Sequence, residues 1–165
     1  SPQELVDIVD YHYKEFDNII EKYNIEKIKT IGDSYMCVGG LPLKDENHAI
    51  NTVLAAMEMA NFVNSEIEKR KVSGEAFAKM RIGIHSGPVI AGVVGHKKFA
   101  YDIWGDAVNT ASRMESSCEP GKVNISNTTY ELIKKEIACT HRGKIEVKHK
   151  GEIEMYYVDN FIPGK

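Results

Sequence analysis

Cysteine is scarce: the 165 residues hold three, Cys37, Cys118 and Cys139. An odd number at wide spacing argues against a disulfide framework, and no zinc-binding pattern appears. Reduced thiols in a cytoplasmic protein are the expectation. Long apolar runs are also absent, so no stretch reaches membrane-spanning length, and no secretory signal is visible. Membrane attachment is expected only through domains outside this chain. Charge of one sign is not in excess: 21 Lys and Arg stand against 24 Asp and Glu, a net charge of −3. That balance argues against a general nucleic-acid binder. With neither an internal repeat nor a low-complexity linker to divide it, residues 1–165 are expected to form one domain with a substantial core.

What is present begins with a helix start. Ser1-Pro2-Gln3-Glu4 reads as a capping box, with Ser1 as N-cap, Pro2 at the first helical position and Glu4 reaching back. Leu5, Val9, Tyr13, Phe16, Ile20 and Tyr23 then recur at helical spacing. The stretch Lys27 to Met36 predicts strand, tight turn, strand. Strict alternation places Ile25, Lys27, Lys29 and Ile31 on one face, with Ile28 and Thr30 on the other. Gly32-Asp33-Ser34 supplies the turn chemistry, so Asp33 is expected at a hairpin tip with Lys29 one short strand away.

A long helix is expected from about Asp45, with Ala49, Val53, Ala56, Ala60, Val63 and Ile67 as its apolar stripe, ending near Ser73-Gly74. Met80 to His85 alternates as a strand. Val89 to Val94 and Phe99 to Trp104 read as extended around a turn at Gly95 to Lys98. Asp106 is expected to cap a helix through Met114; Val123 to Ile125 is a short strand, and Asn127 to Lys135 a helix. Lys144 to Lys148 and Met155 to Val158 suggest a closing hairpin. Strands and helices interleave, which gives α+β or α/β with one sheet covered by helices. His85 and His96 have no ligand spacing and look incidental.

Three features can carry chemistry. Asp33 is a carboxylate on a turn. Asp102 lies between Tyr101 and Ile103, pointing away from both if the segment is extended. Asn109 and Arg113 are four apart, hence on one helix face. An amide beside a fixed guanidinium suits a phosphate whose charge shifts during reaction, although such a pair alone is also compatible with a solvated helix face.

Lys27 to Met36, Gly83-Ile84-His85-Ser86-Gly87-Pro88-Val89, Tyr101 to Met114 and Val147-Lys148-His149-Lys150-Gly151 together resemble the catalytic domain of the class III nucleotidyl cyclases, adenylyl type. The resemblance implies an α+β fold with a ferredoxin-like βαββαβ core. It implies cyclisation of ATP to 3′,5′-cyclic AMP with release of pyrophosphate, at sites between two cyclase domains, here most simply a homodimer. Two metal ions, Mg²⁺ or Mn²⁺, are implied, with Asp33 matching the second of two metal-binding carboxylates. Asn109 matches the residue that orients the ribose, and Arg113 the cation on the triphosphate. Lys148 matches a phosphate-binding lysine, with Lys150 a near competitor. Lys29 and Asp102 match the two base-reading positions. A lysine donates to adenine N1 and a carboxylate accepts from its 6-amino group; guanine reverses that polarity.

One departure stands out. The first metal-binding Asp of the family pattern belongs to an initial strand ahead of the capped helix, and Asp7 and Asp10 on that helix are not substitutes for it. The chain is therefore expected to be N-terminally incomplete, missing one inner strand, and inactive as it stands. A non-catalytic nucleotide-binding or dimerisation module, or a guanylyl cyclase, is the alternative reading.

Overall fold

The computed structural model describes residues 1–75 and 77–161, with the backbone alone for Phe161. The chain divides into two compact units, Ser1–Met80 and Arg81–Lys165.

The first unit is built from α1 (Pro2–Lys22), β1 (Glu26–Ile31), β2 (Ser34–Val38) and α2 (His48–Ser73). The capping box forms as expected: Ser1 Oγ accepts the Glu4 amide at 3.3 Å, and the Glu4 side chain bonds back to the Ser1 nitrogen. Only the second half of the α1 stripe is covered. Phe16, Ile19 and Ile20 are buried together with His12, whereas Leu5 and Val6 remain exposed. α2 starts three residues later than Asp45. Asp45 instead organises the preceding turn, its carboxylate accepting from the Asn47 amide at 2.9 Å and the Asn51 side chain at 3.0 Å. Its stripe is buried at Ala49, Val53, Ala56, Ala60 and Val63, with Met59 added. A Cβ on Gly39, just past β2, would lie 2.5 Å from Thr52 Oγ1 and 2.9 Å from the His48 carbonyl. Glycine there lets the hairpin exit close onto α2.

The second unit contains β3 (Ile82–Ile84), β4 (Ile90–Val94), β5 (Ala100–Trp104), α3 (Asp106–Ser116), β6 (Val123–Ser126), α4 (Asn127–Ile133), β7 (Ile137–Val147) and β8 (Gly151–Phe161). A four-stranded sheet runs β3-β6-β8-β7, with β3 and β6 parallel and the other neighbours antiparallel. β4 and β5 form a separate antiparallel pair. The core lies at Ile125, Ile133, Ile137 and Met114, all fully buried.

Helices and strands interleave along the chain in the order α1-β1-β2-α2-β3, as expected of an α+β fold. β7 and β8 are longer than the alternation suggested, 11 residues each. The cause is local: register shifts at Ala138/Cys139 and His141/Gly143, with Gly143 at φ 117°, interrupt the period that sequence reading relies on.

Candidate active site

In the first unit, Asp33 occupies the two-residue turn between β1 and β2, closed by the Ile31–Ser34 pair. Gly32, at φ 57°, takes the left-handed position that a tight hairpin needs, and Asp33 is exposed at the tip.

The expected alternation along β1 is wrong in one respect. Lys27 pairs with Cys37 and Lys29 with Met36, so Ile28 is an extra residue, a β-bulge. Cross-strand partners share a face, and Cys37 and Met36 point to opposite faces. Lys27 and Lys29 are therefore split between the two faces. In keeping with that split, Ile25 is buried while Ile31 is 62 % exposed.

The Lys27 face turns toward α1. Lys27 Nζ lies 3.0 Å from Asp17 Oδ1, and Tyr35 Oη donates to the same oxygen at 2.7 Å. Burial pushes the Asp17 carboxyl up, but the bonds from Tyr35 and Lys27, together with the lysine charge, outweigh it and hold the group below its ordinary value. Burial, followed by the bond to Asp17, raises the Tyr35 phenol. Tyr13 Oη donates to the Gly32 carbonyl at 3.2 Å. Lys29 thus lies on the face opposite to Lys27.

In the second unit, Asp102 stands on β5 opposite Gly92 on β4. Ile103 beside it is buried, in keeping with opposite orientations along the strand, and the Ile103 amide donates to Asp102 Oδ1 at 2.8 Å. The helix that follows is capped by Gly105, at φ 134°, rather than by Asp106, which lies in its first turn. Ala107, Thr110 and Met114 are its buried face, leaving Asn109 and Arg113 exposed together, as the i,i+4 spacing requires.

Two contacts fix α3 on the sheet. A Cβ on Gly83 of β3 would lie 1.9 Å from the Glu115 backbone nitrogen, so only glycine allows the strand this close to the helix end. Buried Asn124 of β6 donates from Nδ2 to the Met114 carbonyl at 2.9 Å, satisfying one orphan acceptor of the last turn. Lys148 and Lys150 are both exposed in the turn joining β7 to β8, with His149 between them at φ 65°. His85 is engaged rather than incidental: Nδ1 lies 2.7 Å from Ser126 Oγ, the N-cap of α4. Burial, aided by the Lys150 charge, lowers its pKa.

Lys29 and Asp33 are thus brought together on one hairpin, and Asp102, Asn109 and Arg113 on one strand–helix unit. Among the described residues no three His, Cys, Asp or Glu side chains converge as a ready-made metal cage. Asp33 fits a different kind of site, in which a hard divalent ion keeps waters and takes oxygens from one or two carboxylates and from substrate phosphates. Sequence reasoning missed Tyr13, Asp17, Tyr35 and Asn124. No local signal marks them, because their partners lie 10 to 19 residues away in the chain.

The family model for the adenylate and guanylate cyclase catalytic domain matches residues 1–160. An adenylate cyclase of Mycobacterium tuberculosis is 39% identical over 158 residues, covering 96% of this chain and 35% of the relative. The soluble guanylate cyclase subunit beta-2 of Rattus norvegicus is 41% identical over 159 residues, covering 96% of this chain and 23% of the relative. The chain thus spans about a third of one relative and a quarter of the other. Among solved structures, the guanylate cyclase domain of RhGC from Catenaria anguillulae, in complex with GTP, matches with a TM-score of 0.86 at 34% identity, covering 98% of this chain and 87% of that one. The catalytic core of a rhodopsin-guanylyl cyclase with converted specificity, in complex with ATPαS, also reaches 0.86 at 34% identity, with 97% and 85% coverage. These matches establish that the chain belongs to the adenylyl/guanylyl cyclase catalytic-domain family.

Proposed function

We propose that the domain is an adenylyl cyclase, converting ATP to 3′,5′-cyclic AMP and pyrophosphate as a homodimer with composite sites. The observation that carries the choice of base is the pair Lys29 and Asp102. An ammonium donates to adenine N1 and a carboxylate accepts from the 6-amino group, whereas guanine would leave both groups facing their own kind. Overall similarity does not decide the base, since adenylate and guanylate cyclases match at comparable identity. A guanylyl cyclase core with converted specificity, solved with an ATP analogue, supports the view that base choice can change on a common scaffold.

The remaining roles follow from charge and placement. Asn109 orients the ribose, and Arg113, one helical turn away, stabilises the charge that develops on the triphosphate. Lys148 adds a further phosphate contact from its turn. Asp33 supplies a carboxylate to Mg²⁺ or Mn²⁺, which when bound neutralises phosphate charge and favours ionisation of the attacking hydroxyl. Asp33 and Arg113 occur in one chain, so two copies can build two equivalent sites. The β4–β5 hairpin supports a second copy as partner: Ile90 and Phe99 are 72 % and 74 % exposed, a cost in water that a partner surface removes. No helix among the described residues is long and apolar enough to cross a membrane. We assign the domain to the cytoplasm, with ATP and a second cyclase domain as its partners.

The test is turnover of ATP and GTP by the intact protein and by a Lys29→Glu/Asp102→Cys variant. The expected result is a strong ATP preference that the double substitution moves toward GTP by about a hundredfold or more. A native preference for GTP, or an unchanged ratio in the variant, overturns the reading. A native protein that binds ATP without turning it over points instead to a non-catalytic nucleotide-binding module.

A further inference from the structure

A two-residue hairpin turn is defined by the orientation of its central peptide. Rotating that peptide changes ψ of the first central residue and φ of the second, converting one turn type into another. In this chain the central peptide joins Gly32 to Asp33, so its orientation sets where the Asp33 side chain points. Gly32, lacking a Cβ, offers little resistance to such a rotation.

The Gly32 carbonyl belongs to that peptide, and it is held. Tyr13 Oη, from α1, donates to it at 3.2 Å. The donor is itself fixed. Its ring lies 5.2 Å from that of Tyr35 and 6.2 Å from that of Phe16, and Phe16 is buried. Tyr35 is tied in turn to Asp17 on the same helix. A phenol keeps its proton through neutral pH, so the Tyr13 hydroxyl remains a donor.

We propose that Tyr13 is a positioning residue for Asp33: by holding the Gly32 carbonyl, its hydroxyl fixes the central peptide of the turn and presents the Asp33 carboxylate for divalent-metal binding. The inference rests on the assignment of Asp33 as a metal ligand. It differs from a packing role, because the ring alone makes the contacts with Phe16 and Tyr35 while the hydroxyl alone reaches the turn.

The test compares Tyr13→Phe and Asp33→Asn with the native sequence in the intact protein. Mn²⁺ affinity is measured by calorimetry in the presence of a non-cyclisable ATP analogue, alongside amide exchange of residues 32–34. Tyr13→Phe keeps the ring and therefore the fold, which the thermal midpoint checks. Expected are Mn²⁺ binding weakened about three- to tenfold, the scale of one lost hydrogen bond, and faster exchange at the turn. A purely structural role would lower the midpoint and leave Mn²⁺ affinity unchanged. If Asp33→Asn weakens Mn²⁺ binding and Tyr13→Phe does not, the positioning role is overturned. If Asp33→Asn has no effect, the metal assignment falls and the positioning role toward metal falls with it. The exchange data then separate the two failures by showing whether the hydroxyl holds the turn.

Discussion

The hairpins β1–β2 and β4–β5 are nearly the same size, and each carries one of the two residues proposed to read the base. Their mounts differ. β1–β2 lies against α1 through polar bonds, Tyr13 to the Gly32 carbonyl and Tyr35 and Lys27 to Asp17. β4–β5 presents Ile90, Val93, Val94, Phe99 and Trp104 to solvent. Among the described residues its strands pair only with each other. One hairpin is oriented from within its own unit by directional bonds, which suits a turn that must aim a carboxylate. The other carries a non-directional apolar surface, which suits docking of a second chain. The bulge at Ile28 belongs to the first kind of mount, since it sends Lys27 to Asp17 and Lys29 to the far face.

The comparison is tested hardest by separating the two contributions between chains. Asp33→Ala and Arg113→Ala should each lower cyclic AMP formation by at least about 10²- to 10³-fold, the scale for losing a main electrostatic catalyst. Mixed in equal amounts, half of the dimers are heterodimers, and each holds one site with both native residues and one with neither. Activity should then recover to about a quarter of native, given random exchange of subunits. No recovery in dimers shown to be mixed would sink the composite site.

A smaller effect is expected at the apolar hairpin. Phe99→Glu places a charge where a partner surface would cover it, so dimer dissociation should strengthen by about tenfold or more. Specific activity should fall at low protein concentration and return at high concentration. Sedimentation velocity across that range gives the check. Unchanged self-association would remove the hairpin from the dimer surface and leave its exposed side chains without a role.

How much of this was readable in the sequence follows from the reach of each rule. The capped start of α1, the turn at Gly32-Asp33 and the shared face of Asn109 and Arg113 all depend on residues within four positions of one another, and all formed. The bulge at Ile28 was not readable, because the same six residues satisfy a period of two; only Asp17 on α1 shows which lysine turns inward. Gly83 looked like an ordinary strand residue until the Glu115 backbone appeared against it. Asn124 offered no signal before its bond to the Met114 carbonyl. The candidate residues sit in locally readable elements, and the contacts that support those elements do not.

The smallest effect concerns the mount of the first hairpin, through His12. Its ring packs 4.4 Å from Phe77 edge to face and 5.8 Å from Phe16, and Nε2 is buried with no partner among the described residues. Burial, with the positive charge of Arg70 added, lowers its pKa below the ordinary histidine value; Glu66 opposes this only in part. The folded chain therefore binds this proton less readily than the unfolded chain does. The contribution to stability is complete above the unfolded value near 6.5 and is lost as pH falls through the depressed folded value. Asp17, also depressed, acts with the same sign but at more acid pH. His12→Phe removes the titrating group and keeps an aromatic ring in the Phe16–Phe62–Phe77 cluster. The variant should lose the part of the stability decline that begins just below pH 6.5, so that its stability falls less between pH 8 and pH 5 than that of the native chain. Urea unfolding at pH 5 and pH 8 measures it: an unchanged difference between the two pH values would mean that His12 is not the group responsible.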